Sequence, residues 1–154
     1  MPVEVEARHR DAVVLELDHD GGAPRGLKLG QVHAFSGAAK TSCRLRHGPV
    51  VDLNVLYKSE VCAAALAYHE SRSESEAPLD LELELAARED LVVVALADSI
   101  ELRDLTADAL PILGGDAVWI EGPSEKRTTP PRIRVTARHP FVTARFVELP
   151  VSHH

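Results

Sequence analysis

The sequence predicts an all-β protein, and three observations carry that prediction. Apolar and polar residues alternate in short segments. Gly, Pro, Asp and Ser separate those segments. Aromatic residues make up only 4% of the chain, leaving Val, Leu, Ile and Ala to build the core. Alternation with period 2 marks a strand with one buried face. The length of 154 residues fits one domain. The expected organisation is a single domain over residues 1–150, followed by a disordered tail at 151–154.

The elements follow in order. Val13, Leu15 and Leu17 alternate with Val14, Glu16 and Asp18, and the segment stops at His19-Asp20-Gly21-Gly22. Further strands are expected at Arg44 to Leu45 and Leu53 to Tyr57. Val61 to Glu70 is rich in Ala and helical by propensity, yet its setting favours a strand. Glu70 to Pro78 alternates Ser and Glu and reads as a surface loop. Leu79, Leu81, Leu83 and Leu85 alternate with Asp80, Glu82 and Glu84, giving an edge strand whose acids face water and discourage further pairing. Leu91 to Ala97 is apolar on both faces, as a central strand is, and Ile100 with Leu102 should complete a hairpin across Asp98-Ser99. Leu102 to Leu110 is expected as a loop or short helix before Pro111. Val118 to Ile120, Ile133 to Ala137 and Phe141 to Leu149 supply the last strands, with a break at Pro130-Pro131.

Composition excludes several classes. With 24 acidic against 17 basic residues the net charge is −7, which repels phosphate backbones, so no nucleic-acid partner is expected. The richest basic stretch, Lys126 to Arg138, is interleaved with Thr and Pro. Cys43 and Cys62 make no disulfide framework, and the Met-Pro-Val-Glu-Val-Glu start lacks a signal sequence, so a cytoplasmic location is expected. The longest apolar run, Leu91 to Ala97, is too short to span a bilayer.

The most informative stretch is His33 to Tyr57, reading HAFSGAAKTSCRLRHGPVVDLNVLY. Its Phe35-Ser36-Gly37 element, the polar strand Thr41 to Leu45, the Gly48-Pro49 turn and Asp52-Leu53-Asn54-Val55 resemble the signature of the HutD/Ves family. Gly114-Gly115-Asp116 before a hydrophobic strand is also similar to that family's C-terminal half. The resemblance implies a cupin-like (RmlC-like) jelly roll, a β-sandwich forming a partial or two-halved barrel. It implies a place in histidine utilisation, binding an intermediate such as N-formylglutamate with no assigned catalysis. The family usually has an N-terminal Trp-Lys-Asn-Gly-Gly-Gly motif that this sequence lacks, so a shortened member is expected. Ala38 stands where the family is usually acidic, and Tyr57-Lys58 where it has a basic pair.

Read from the residues themselves, Asp52 and Asn54 lie two apart and share one face if the segment is a strand. That face offers donors and acceptors to a polar ligand. Their other reading is to tie down the Gly48-Pro49 turn. Arg44 and Arg46 flank Leu45 and could grip a ligand carboxylate, pair with Asp52, or face water. His33 and Phe35 are expected to point inward together. Cys43 and Cys62 read as small buried apolar residues rather than nucleophiles.

No His-x-His occurs, so no metal is expected, and no cofactor. Gly-x-Ser-x-Gly, phosphate-loop and Gly-x-Gly-x-x-Gly motifs are missing, and no catalytic residue is nominated. The leading expectation is a non-enzymatic binder of a small carboxylate or amino-acid derivative, with ligand contacts from Asp52, Asn54, Arg44, Arg46 and His33. The alternatives are a cupin-type isomerase or dioxygenase, and an interaction protein without a pocket that forms a homo-oligomer through free sheet edges.

Overall fold

A computed structural model describes residues 12–71, 77–104, 108–123 and 130–150. Among them are eleven strands and no helix: β1 (Val13–His19), β2 (Arg25–Lys28), β3 (Thr41–Leu45), β4 (Cys62–His69), β5 (Leu79–Glu84), β6 (Glu89–Ala95), β7 (Ile100–Asp104), β8 (Ala109–Ile112), β9 (Ala117–Ile120), β10 (Arg132–Ala137) and β11 (Phe141–Glu148). The chain divides into two compact units, Met1–Leu56 and Tyr57–His154.

The first unit is an antiparallel sheet in the order β2-β1-β3. Leu15 is paired with both Leu27 and Leu45, and Leu17 with Cys43, so one face is apolar. Glu16, Asp18, Ser42 and Arg44 occupy the other. The turn after β1 runs through Asp20 and Gly21, at φ 55° and 71°, the left-handed region that such reversals require. Among the described residues of this unit Leu27 alone is a buried apolar residue. Cys43 is exposed rather than buried, because β3 is an edge strand with nothing laid over it among the described residues.

The second unit contains two four-stranded sheets, β4-β11-β6-β9 and β5-β10-β7-β8. Counted from β4, the orders are 1-8-3-6 and 2-7-4-5, the strand order of an eight-stranded jelly roll. The core lies between the sheets: Leu83, Leu91, Val93, Ile100, Leu102, Ile133, Val135 and Phe141 are all buried. The expected alternation of β5 is realised, with Leu79, Leu81 and Leu83 inward. Its acids form an exposed ladder with Arg132 and Arg134 of β10. Exposed pairs of this kind contribute little to stability and much to keeping the edge solvated.

Several expectations are corrected. Leu53 to Tyr57 is not a strand: after Gly48, at φ 100°, no ladder partner exists for it among the described residues. β6 and β7 are no hairpin, because β6 pairs with β9 and β11 while β7 pairs with β8 and β10. The chain changes sheet at Asp98-Ser99, with Asp98 at φ 42°. Leu102 to Leu110, expected as loop or helix, gives the end of β7 and the start of β8, with residues 105–107 outside the described residues. β8 tolerates Pro111 because it is the sheet edge, where one missing N–H breaks no outer ladder. The Ala-rich segment is the strand β4, as expected. The central part of the Glu70 to Pro78 loop, part of the Lys126 to Arg138 stretch and the 151–154 tail lie outside the described residues.

Candidate functional site

The sequence-predicted residues all fall in the first unit, where they form separate local pairs. Arg46 is engaged in an ion pair with Glu16 on the polar face of the sheet. Arg44 is directly across from Glu16 on that face and is exposed. Asn54 Nδ2 donates to Asp52 Oδ2 at 3.0 Å, so these two satisfy each other on an exposed, non-strand segment. His33 belongs to the opposite side of the sheet. Its Nε2 lies 2.8 Å from Nε2 of His19, whose Nδ1 is 2.9 Å from Thr41 Oγ1.

Phe35 stacks on His19 at 4.6 Å but remains 47% exposed, so it is a lid on the histidine pair rather than a core residue. Burial, then the charge of Arg25 and the neighbouring His19, hold the His33 imidazole below its ordinary pKa. A contact between two Nε2 atoms needs one neutral acceptor, and this depression favours it. Among the described residues no group of three or more His, Cys, Asp or Glu is placed to hold a metal ion.

The second unit holds a constellation that sequence reasoning missed. On the core face of β4-β11-β6-β9 the register sets out four rows: His69, Phe141, Ala95; Ala67, Thr143, Val93; Ala65, Arg145, Leu91; and Ala63, Val147, Glu89. The face is sealed around Phe141, Leu91 and Val93, which are completely buried. It is open at β4, where Ala63, Ala65 and Ala67 are exposed. Alanine side chains are too short to close that edge.

Four polar side chains border the opening. His69 Nε2 meets Thr143 Oγ1 at 2.8 Å, and its ring stacks on Phe141 at 4.7 Å. Arg145 Nη1 donates to Glu89 Oε1 at 2.9 Å and to the carbonyl of Glu84 at 3.2 Å. Glu84 belongs to the other sheet, so Arg145 spans the two. Among the described residues Arg145 Nε and Nη2 have no hydrogen-bond partner, and the side chain is 31% exposed. A guanidinium fixed at one nitrogen with a free fork beside it can receive a carboxylate bidentately.

Glu89 Oε2 also accepts from Ala86 N–H at 2.8 Å. Burial pushes the Glu89 carboxyl up, but the Ala86 N–H and the Arg145 bond and charge outweigh it and hold the group below its ordinary range. Gly122 packs so closely that a Cβ there would sit 2.0 Å from the Glu89 carbonyl oxygen. Burial alone lowers His69. A charged residue at the apolar parity of β6 or β11 is the signal that could have revealed Glu89 and Arg145.

These shifts set the pH dependence of stability. The unfolded chain protonates His69 and His33 before the folded one does, so their contribution is whole above the ordinary value of 6.5 and declines as pH falls below it. Glu89 contributes above the ordinary carboxylate range and is lost as pH falls through its lower folded value. Urea midpoints measured from pH 8 to 3 should therefore fall in two windows, and His69→Gln should reduce the upper one. An upper window unchanged in that variant would show that His69 is not the group responsible.

A groove of about 350 Å³ lies elsewhere in this unit, lined by residues that include Ser99, Pro111, Thr136, Arg138 and His139. Its Asp98–His139 contact, at 3.3 Å, joins two well-exposed side chains. The β4 opening is the better candidate because its polar groups are anchored in the core face.

Comparison with known proteins follows the same division of fold and function. The family model described as HutD matches residues 11–137. No curated protein matches. Among solved structures, HutD from Pseudomonas fluorescens SBW25 aligns with TM-score 0.65 and 24% identity over 91% of this chain. The chain spans 65% of that protein's length. A conserved protein of unknown function from Pseudomonas aeruginosa PAO1 aligns with TM-score 0.63 and 21% identity, over 91% of this chain and 69% of that one. At these identities the two structures speak for the fold alone.

Proposed function

The chain belongs to the HutD family, and on that premise we propose that it binds a small carboxylate or amino-acid derivative from histidine breakdown, such as N-formylglutamate, without transforming it. One observation carries the proposal: Arg145, anchored by Glu89 and the Glu84 carbonyl, has no partner for Nε or Nη2 among the described residues and lies beside the open alanine edge of β4. In this reading the fork takes the carboxylate. The His69–Thr143 pair borders the other end, with Thr143 two residues from Arg145 along β11 and thus about 7 Å away. Asp52 and Asn54, and separately Arg44, Arg46 and His33, offer other polar groups in the first unit, and the same experiment examines the Asp52–Asn54 pair.

Thermal unfolding is measured against N-formylglutamate, formiminoglutamate, urocanate and glutamate. Ligand at a hundred times its dissociation constant adds about 2.7 kcal/mol, which raises the midpoint by several degrees in a chain of this size. Arg145→Lys keeps a cation beside Glu89 but loses the fork, so the shift should vanish while the unliganded midpoint changes little. Asp52→Ala with Asn54→Ala should leave the shift intact. If instead that double variant abolishes it and Arg145→Lys does not, binding belongs to the first unit. No shift with any of the four compounds would count against the proposal as a whole.

A further inference from the structure

We infer that residues 32–38 form a strap over one end of the first unit's sheet, clasped by the His19–His33 contact at neutral pH and released in mild acid. The strap is tied at both ends. Lys28 N–H donates to Gln31 Oε1 and Gln31 N–H to the Lys28 carbonyl, each at 3.1 Å. Lys40 N–H donates to Asp20 Oδ1 and Asp20 N–H to the Lys40 carbonyl, each at 2.8 Å.

Between those ties the chain turns on itself. The N–H groups of Ala38 and Ala39 both bond Ser36, the first through Oγ and the second through the carbonyl. Among the described residues the one hydrogen bond from 32–38 to the sheet is the 2.8 Å contact of His33 Nε2 with His19 Nε2. Phe35 lies over both imidazoles, at 4.6 and 5.8 Å, and is half exposed.

The direction of the clasp follows from its neighbours. Thr41 Oγ1 donates to the Ala39 carbonyl at 3.3 Å, so it accepts from His19 Nδ1–H at 2.9 Å. That tautomer leaves a lone pair on His19 Nε2, and His33 Nε2–H donates to it. The ring centroids are 5.1 Å apart, so the rings meet nitrogen to nitrogen with room for one proton between them. One added proton is tolerated, because an imidazolium still donates to a neutral imidazole. A second sets two N–H groups and two charges against each other.

The surroundings oppose that second proton. Burial of His33, then the charge of Arg25 on β2, disfavour its protonation, and β3 presents the uncharged Thr41. Among the described residues no carboxylate bonds either ring. The open strap takes up two protons near the ordinary imidazole value and the closed one holds a single added proton. Below that value the ratio of closed to open therefore falls about tenfold per pH unit. Opening uncovers the His19 ring and turns this end of the sheet doubly cationic beside Arg25.

Nitrogen-15 relaxation on the full chain tests the clasp. Order parameters of residues 32–38 should be near 0.85 at about pH 7.5 and below about 0.6 at about pH 5, with the far-ultraviolet spectrum unchanged. His33→Gln sets an amide nitrogen and oxygen where the imidazole Nε2 stood, so it bonds His19 in either protonation state and should stay ordered at both pH values. His33→Ala should be disordered at both. In the wild type the histidine resonances should show the pair taking up its two protons in separate steps.

A strap that stays ordered at about pH 5 in the wild type overturns the inference. So does acid opening that persists in His33→Gln, which would place the titrating group elsewhere, or an ordered strap in His33→Ala, which would leave Phe35 stacking as the clasp. If neither variant folds, the wild-type titration decides, and two histidines protonating together in one step would overturn it.

Discussion

Phe141→Ala is expected to destabilise the protein by about 4 kcal/mol, in the range for deleting a fully buried phenyl group. Phe141 has no exposed surface, begins β11 and packs among Ala95, Val93 and the facing sheet's aliphatics. Its loss removes the transfer energy of the ring and leaves a cavity that two hydrogen-bonded sheets cannot readily collapse to fill. For a chain of this length that is a drop of roughly 8–16 °C in the midpoint. Phe141→Leu, which keeps most of the volume, should cost only about 1–2 kcal/mol.

Urea unfolding is the check, with an unchanged slope showing that stability and not the extent of unfolding has altered. The substitution also removes the ring on which His69 stacks. With less burial the His69 imidazole should move back up toward its ordinary value, which a histidine titration by NMR reads directly. A loss below about 1 kcal/mol would mean that the core between the sheets is not packed as described.

How far the sequence could be read depends on whether the deciding interaction was local. Leu79 to Leu85 and Ile133 to Ala137 were legible because one buried face imprints period 2 on the residues themselves. Asp98-Ser99 carries the chemistry of a turn, and a turn is there. Yet whether the next strand folds back or crosses to the other sheet is set by β10 and β11, far along the chain. Leu53 to Tyr57 has the alternation of a strand and, among the described residues, no partner to make it one. The parity argument for Asp52 and Asn54 assumed that strand and lost its footing with it.

The polar groups of the β4 opening were hidden for a related reason. A single charged residue in an apolar strand is ordinarily assigned to water. Only the register of β11 against both β4 and β6 brings Arg145, Glu89 and the three alanines into one place. By contrast, the family signature in His33 to Tyr57 needed no register, since it consists of consecutive residues.

The pair of Arg145 and Glu89 should behave as a coupled unit rather than as two contacts. Arg145→Ala leaves the Glu89 carboxylate, 9% exposed, with the Ala86 N–H as its remaining partner, and also removes the bond to the Glu84 carbonyl. Stranding a buried charge costs about 3–5 kcal/mol, and the partial exposure of Arg145 places this case near 3. Glu89→Ala should cost less, about 2 kcal/mol, because the 31% exposed guanidinium can turn to water while one backbone N–H goes unsatisfied. Removing both charges with Arg145→Ala and Glu89→Ala together should cost less than the sum of the singles, since the double variant leaves no charge behind. A coupling of about 1–3 kcal/mol is expected from the cycle of urea unfolding measurements.

The sign of the pH effect provides an independent test. Arg145 is among the groups holding the Glu89 carboxyl low, so in Arg145→Ala that carboxyl should rise and protonate at higher pH. Once both proteins carry a neutral Glu89, the variant's deficit should shrink, so the two stability curves converge as pH falls through the carboxylate range. Strictly additive single effects, with curves that stay parallel in acid, would mean that Arg145 is held by water and not by Glu89, and would release it from the anchored role on which the carboxylate site depends.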